Sequence, residues 1–390
     1  MSEWKKVKLG DYIDVLSGFA YKSKDFSDSG IPVIKIKNVC PPYISLEDLS
    51  YVPDSIAFQN PRYILKRGDV LIAMTGSHIN QIASVVGRVG RVRYDDITVL
   101  NQRVGKILNN NDAKSSLDYI YYYLSQYEVK VELAQKAGGA ANQANISPSD
   151  IKDLLFPCPP IEVQNKIATI LSRYDSLIEN YQKQIKLLEE AAQRLYREWF
   201  VDLRFPGHET TRIADGVPEG WGKKKVGDVT PIKTGKKDAN YGTDDGAFPF
   251  FTCAQEPIKA PSFSFDTSAV ILAGNGDFNV KLYRGKFEAY QRTYVLEPTN
   301  EKMLYLLYFC ISENMNRLAT GASGSTIKFL TKGMIESLVI NEPSILVLDS
   351  FNQKIEPIRT QKENLQYQIR LLTEARDRLL PKLVGGEIAI

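Results

Sequence analysis

The residues with chemical potential are few, and their spacing does not assemble a reaction centre. Asp118, Glu128 and Lys130 loosely match the D…ExK pattern of a magnesium-dependent nuclease. They fall in or just after the tyrosine-rich run Tyr119–Leu124, which reads as a helix where that chemistry needs a strand, so the match is read as chance. His78 follows Thr75-Gly76-Ser77 with no acidic partner close by, and reads as a polar loop histidine rather than a general base. His78 and His208 are the only histidines, too few for a multi-histidine metal centre. Cys40, Cys158, Cys253 and Cys310 lie far apart without a CxxC pair, which argues against both a disulfide framework and a thiolate zinc site. No GxxxxGK[ST] loop is present, and Gly274-Asn275-Gly276 lacks the third glycine of a dinucleotide fingerprint, so it reads as a turn. An Asp/Asn-Pro-Pro-Tyr segment, with which amino-methyltransferases hold a flipped base, is also missing. The pattern is that of a scaffold that binds.

The elements that position such a binder must come from 390 residues, enough for two or three domains. The 43% hydrophobic and 24% charged fractions suit globular protein. The apolar run Met303–Ile311 is under half of the roughly 20 residues a membrane span needs, so no membrane partner is expected. The start Met1-Ser2-Glu3-Trp4-Lys5-Lys6 has no apolar signal core, and with the unpaired cysteines it sets the expected location as cytoplasmic. The net charge of +3 is spread without a broadly basic segment. Local clusters exist at Lys223-Lys224-Lys225 with Lys233, Lys236 and Lys237, and again between Arg62 and Lys106. They permit nucleic-acid contact without requiring it.

The chain is an internal duplication. One spacing carries Trp4 to Trp221, Gly10-Asp11 to Gly227-Asp228, Gly18 to Gly235 and Pro32 to Pro249. The spacing then shortens in steps, pairing Ala73 with Ala273, Gln102-Arg103 with Gln291-Arg292, and Gln184-Ile185 with Gln368-Ile369. The second copy is the shorter, and its losses fall opposite 36–66 and 77–100. Matched positions therefore read as scaffold and unmatched stretches as variable loops.

Each copy holds two kinds of segment. Residues 1–155 and 206–345 carry short β-rich runs (Ile31–Lys37, Val70–Met74, Ile97–Lys106, Ala269–Ala273, Arg292–Leu296) and one apolar helix each, Leu117–Tyr127 and Met303–Glu313. This predicts an α+β unit with a curved, mostly antiparallel sheet. Residues 156–205 and 346–390 each predict a long helix. The first carries an apolar stripe from Ile167 through Leu177 and Ile185 to Trp199 with a single stutter; the second runs from Phe351 through Leu365 to Leu383. A helix over Val163–Trp199 would be about 55 Å long. Two such stripes are expected to bury each other. A duplicated chain imitates a homodimer, so a pseudo-two-fold axis should make the helices antiparallel and place the globular domains at opposite ends. Pro206–Gly220 reads as the linker.

At this point the residues resemble a family. Phe156-Pro157-x-Pro159-Pro160-Ile161-Glu162-x-Gln164 leading into a long helix is similar to specificity subunits of type I restriction–modification systems. So are Leu195-Tyr196-Arg197-Glu198-Trp199-Phe200-Val201-Asp202-Leu203-Arg204-Phe205-Pro206-Gly207, Gly68-Asp69-Val70-Leu71-Ile72-Ala73-Met74-Thr75-Gly76 and Asn101-Gln102-Arg103-Val104. The resemblance spans essentially the whole chain. The second copy departs from it, with Glu342-Pro343-Ser344 in place of the proline pair and no Glu-x-Gln after it. The resemblance implies two tandem α+β target-recognition domains joined by two long antiparallel coiled-coil helices. Each domain would read one half of a split, asymmetric site in double-stranded DNA, and the helices would set the unread spacer. It also implies two modification subunits that hold S-adenosylmethionine, and restriction subunits that use ATP and magnesium, with no cofactor or catalysis on this chain.

The unmatched loops then supply the DNA-contact candidates, because base edges in the major groove are read by polar side chains. They are Ser77, His78, Asn80, Gln81, Arg88, Arg91 and Arg93 in the first copy, and Lys236, Lys237, Asn275, Asp277, Asn279, Lys281 and Arg284 in the second. Trp199, Phe200, Val201, Leu203 and Phe205 form an apolar run that either docks a modification subunit or closes the core beneath the linker. Three rival readings stand beside this one: a methylation-only system without restriction subunits, a stand-alone nuclease in 1–155, and a coiled-coil adaptor that binds no DNA.

Overall fold

A computed structural model describes residues 4–77, 84–138, 144–324, 328–388 and 390. The chain divides into two compact units, residues 1–180 with 368–390 and residues 181–367. The boundaries differ from the expected ones, because each long helix gives one half to each unit. The first long helix is Ile161–Tyr196, ending in a π-helical turn over Arg197–Val201. The second is Ile345–Val384. Among the described residues no helix is long and apolar enough to cross a membrane.

The two units share one plan. In unit 1 the strands Ile13–Ser17, Val104–Asn109, Val70–Ala73 and Val89–Arg91 lie side by side in that order. In unit 2 the matched strands Ile232–Thr234, Thr293–Leu296, Phe265–Ala273 and Val280–Ala289 take the same order. Neighbours in both sets are antiparallel. A parallel pair follows in each, Ile31–Ile34 beside Thr98–Leu100 and Phe248–Phe251 beside Val280–Ala289. Unit 1 breaks into two segments, Val89–Arg91 and Thr98–Leu100, what unit 2 runs as one ten-residue strand. The extra residues of the first copy around 36–66 are not bare loops, as expected, but add the short strands Val39–Cys40, Tyr43–Ile44, Ser50–Val52 and Ile64–Leu65 between the matched ones. The sheets are mostly antiparallel, as expected.

Local chemistry repeats along with topology. The short helix Pro148–Lys152 starts at Ser147, whose hydroxyl accepts from the Asp150 amide at 3.2 Å. Its counterpart Lys332–Glu336 starts at Thr331, whose hydroxyl accepts from the Met334 amide at 3.4 Å. Such caps satisfy amides that have no partner within the helix. The predicted helix Leu117–Tyr127 is observed as Leu117–Leu124, followed by a second helix, Tyr127–Lys136, that the pattern did not foretell. Tyr119 to Leu124 are all buried, which the four tyrosines of this run could not be without partners for their hydroxyls. Tyr119 donates to the Pro157 carbonyl (2.9 Å), Tyr121 to Pro42 (3.2 Å), Tyr123 to Leu155 (3.3 Å), and Tyr122 to the carboxylate of Asp175 (2.8 Å).

Within each unit the two helix halves run antiparallel. In unit 1, Ile167, Ala168 and Leu171 share a core with Leu380, Leu383 and Val384, while Asp175 meets Arg376. In unit 2, Glu189 pairs with Lys362 at 2.6 Å, and Trp199 packs on Phe351. The stripe departs from expectation at one place. Leu177 is 44% exposed, and its neighbours Asp175 and Ile178 are buried instead. The cause is an ionic knot. The Asp175 carboxylate, 4% exposed, receives Arg376 at 2.8 Å, Arg93 at 3.1 Å and the Tyr122 hydroxyl. Burial opposes the Arg376 charge, but Asp175 and Asp377 more than offset that and strengthen its hold on the proton.

Deleting one member of such a knot strands the others in low dielectric. Asp175→Ala should destabilise unit 1 by about 3–5 kcal/mol, and Asp175→Asn, which keeps hydrogen-bonding capacity, should cost less. Hydrogen exchange across residues 161–180 measures both. Unchanged protection in Asp175→Ala would refute the assignment.

Candidate nucleic-acid interface

The loops at one end of each sheet converge through matched backbone hydrogen bonds. In unit 1 the Asn101 amide donates to Ile34 O (3.1 Å), Gln102 to Phe19 O (2.9 Å), Met74 to Arg103 O (2.9 Å) and Ile146 to Met74 O (2.9 Å). In unit 2 Tyr290 donates to Phe251 O (2.9 Å), Gln291 to Lys237 O (2.9 Å), Gly274 to Arg292 O (2.9 Å) and Leu330 to Gly274 O (2.8 Å). The same four bonds therefore draw five chain segments together in both copies. Gly18 and Gly235 make this possible. A Cβ on Gly18 would sit 2.3 Å from the Asn101 carbonyl oxygen, and one on Gly235 1.9 Å from that of Ala289. The side chains mounted on this frame differ between copies.

In unit 2 most of the expected residues meet at this end. Asn275 accepts from the Cys253 thiol at 2.7 Å, Asn279 donates to the Cys253 carbonyl at 3.1 Å, and Lys281 donates to the Ala254 carbonyl at 2.9 Å. Burial makes the Lys281 ammonium easier to deprotonate. These three side chains tie the loop 252–256 to the loop 274–279 and leave Asp277 exposed at its tip. Lys236 is exposed beside them, and Lys237 lies 4.2 Å over the ring of Tyr241. In unit 1, Ser77 is half-buried and its carbonyl accepts from Ser84 Oγ at 2.6 Å; Arg88 is also half-buried. His78, Asn80 and Gln81 lie outside the described residues.

Three arginines among the candidates are committed elsewhere. Arg93 is clasped by Asp175 and, at 3.2 Å, by Glu179 of the first long helix. Arg91 lies 4.3 Å over the Tyr121 ring and 2.7 Å from Asp118. Both side chains are only 15% exposed. Arg284 repeats the device in unit 2, reaching Glu356 of the second long helix at 3.3 Å while lying 5.2 Å over Tyr305. Tyr305 and Arg359 also hydrogen-bond to Glu356; these partners and Arg284 outweigh burial and keep its carboxyl below the ordinary range. Arg93 and Arg284 fasten the globular part to a long helix within each unit, while Arg91 is held inside the globular part by the helix Leu117–Leu124. Asp118, the first member of the loose D…ExK match, is one of their partners.

The structure decides between the two readings of the apolar run after the first helix, against docking for its aromatics. Trp199, Phe200 and Phe205 are 3–4% exposed and pack with Trp221, Phe309 and Phe351 in the core of unit 2, so they offer no surface for docking. Leu203 is half-buried against the same core, and Val201 alone is largely exposed, at 53%. Gln164, from the family-like segment, is likewise internal. It accepts from the Ser116 amide (3.0 Å) and donates to the carbonyls of Lys114 (3.1 Å) and Pro159 (2.8 Å). The matched position in copy two is Leu348, which enters the core and needs no such partners.

Two copies of one frame, each presenting a different loop surface, define a binding protein with two related but unequal sites. A family model described as the type I restriction modification DNA specificity domain matches residues 1–190 and 218–367, and the chain belongs to this family. The MjaIX specificity subunit of Methanocaldococcus jannaschii is 25% identical over 419 residues, covering 100% of this chain and 94% of that protein. The EcoDI specificity subunit of Escherichia coli is 37% identical over 179 residues, 45% of this chain; the match spans only 40% of that relative. The crystal structure of a type I restriction–modification S subunit from M. genitalium has the same fold, with a TM-score of 0.58, 15% identity and coverage of 98% and 96% of the two chains.

Truncating Trp199 to Ala should destabilise unit 2 by about 3–5 kcal/mol, whereas Val201→Ser should change stability by less than about 0.5 kcal/mol. Urea unfolding followed by circular dichroism tests both, and equal effects would contradict the core assignment.

Proposed function

We propose that this chain is the sequence-reading subunit of a type I restriction–modification complex and performs no catalysis itself. The observation that carries the reading is the pair of loop clusters, equal in backbone and unequal in side chains. Equal frames suit the repeated geometry of duplex DNA, and unequal side chains suit two different half-sites. Unit 1 reads one half through the loops around Ser77 and Arg88. Unit 2 reads the other through Lys236, Lys237 and the loops carrying Asn275 and Asp277. Asn275 holds its own loop in place through the Cys253 thiol, so that the loop tip is presented to the groove. Asn279 and Lys281 shape the unit 2 loops from within. The long helices, each shared between the two units, set the length of the unread spacer. Modification subunits, docked on the chain, bring S-adenosylmethionine, and restriction subunits bring ATP and magnesium chemistry.

Replacing residues 206–345 with the corresponding segment of a relative should change one half-site and leave the other intact. Mapping methyl-adenine across the genome of cells that carry the chimera reads this directly. Simultaneous change of both half-sites would mean that the units do not read independently, and loss of all methylation by a stable chimera would overturn the modular reading.

A further inference from the structure

The frame that joins the loops presents one residue in the same way in both copies. Arg103 and Arg292 occupy matched positions, each after a glutamine and each exposed. Their backbone is pinned, since the Arg103 carbonyl accepts from Met74 and the Arg292 carbonyl from Gly274, both at 2.9 Å. The close approaches at Gly18 and Gly235 fix the turn from the other side. Their guanidiniums behave unlike those of Arg91, Arg93 and Arg284. Among the described residues neither Arg103 nor Arg292 has an ion-pair partner or a side-chain hydrogen bond. A solvent-facing cation on a pinned backbone therefore stands at the loop end of each unit, without an ion-pair partner among the described residues. The glutamines do not share this constancy, because Gln291 donates to Asp238 at 2.6 Å.

Resting on the DNA-reading function proposed above, we infer that Arg103 and Arg292 are matched anchors for the phosphate backbone. The argument is one of elimination between two parts of the same ligand. Two units that read different half-sites cannot owe the difference to a residue they hold in common. What every half-site shares is its phosphates, which fix register and orientation but carry no sequence. The planar guanidinium suits bidentate contact with a phosphate, and its permanent charge suits displacement of counterions. The frame thus supplies the constant contact, and the loops around it supply the variable ones.

The test uses the full chain and two labelled duplexes of unrelated sequence, one AT-rich and one GC-rich, titrated by fluorescence anisotropy from roughly 25 to 200 mM salt. Arg103→Gln and Arg292→Gln should each weaken binding to both duplexes by roughly five- to tenfold at about 0.1 M salt. Each should also lower the steepness of log affinity against log salt by about one, and the double variant by about two. Arg103→Lys and Arg292→Lys should recover most of the slope. Arg194→Gln, an exposed change on the first long helix, is the control for lost charge. Unchanged slopes in variants of a chain whose wild type binds would overturn the anchor assignment alone. Loss confined to one duplex would also overturn it, by showing that the arginine reads bases. Absence of any wild-type binding at the lowest salt would overturn the functional reading and the inference with it.

Discussion

Each long helix carries an apolar stripe that runs past what one globular unit covers, and this constraint organises the chain. An amphipathic helix is stable in water only where its stripe is buried. Both helices meet that demand by giving one half to each unit and lying antiparallel to the other helix there. Duplication makes the solution available twice. In unit 1 the helix ends meet around Leu171 and Leu380, and in unit 2 around Trp199 and Phe351. Everything that positions a loop is built outward from those two seams.

The globular parts are then locked to the seams by charge. Asp175 and Glu179 hold Arg93, and Glu356 holds Arg284, with a tyrosine at each lock, Tyr122 and Tyr305. The two locks differ in depth. Asp175 is 4% exposed, with two arginines and a hydroxyl packed around its carboxylate. Glu356 keeps 42% of its side chain in water, and pairing there is screened and weaker. Removing one member of the buried lock leaves the others uncompensated, whereas the exposed lock can exchange its partners for water.

The sequence made the architecture legible through period and repetition. The heptad stripes, the prolines before both helices and the paired tryptophans Trp4 and Trp221 led directly to two α+β copies and two long helices. The loop cluster of unit 2 was also within reach, since unmatched polar residues beside matched strands mark variable surface. Long-range pairing was not legible. Arg93 reads like any loop arginine until the fold brings it to Asp175, and the same is true of Arg284 and Glu356. A tally of basic residues cannot separate a cation facing solvent from one spent on a helix. The run from Trp199 to Phe205 left docking and core closure both open for a related reason: it begins in a π-helical turn, and no periodic pattern announces such a turn.

The better signal for a solvent-facing role was identity between the copies outside the apolar core. A matched apolar residue is explained by packing, and a matched glycine by close approach of backbones. Arg103 and Arg292 are explained by neither, because their side chains are exposed and their backbone bonds would form with any residue. Repetition of a polar side chain that packing does not require points outward, to something both units meet in the same form. The variable loops point to what they meet in different forms. A duplicated reader needs both, and the two kinds of residue sit within one hydrogen-bonded frame in each copy.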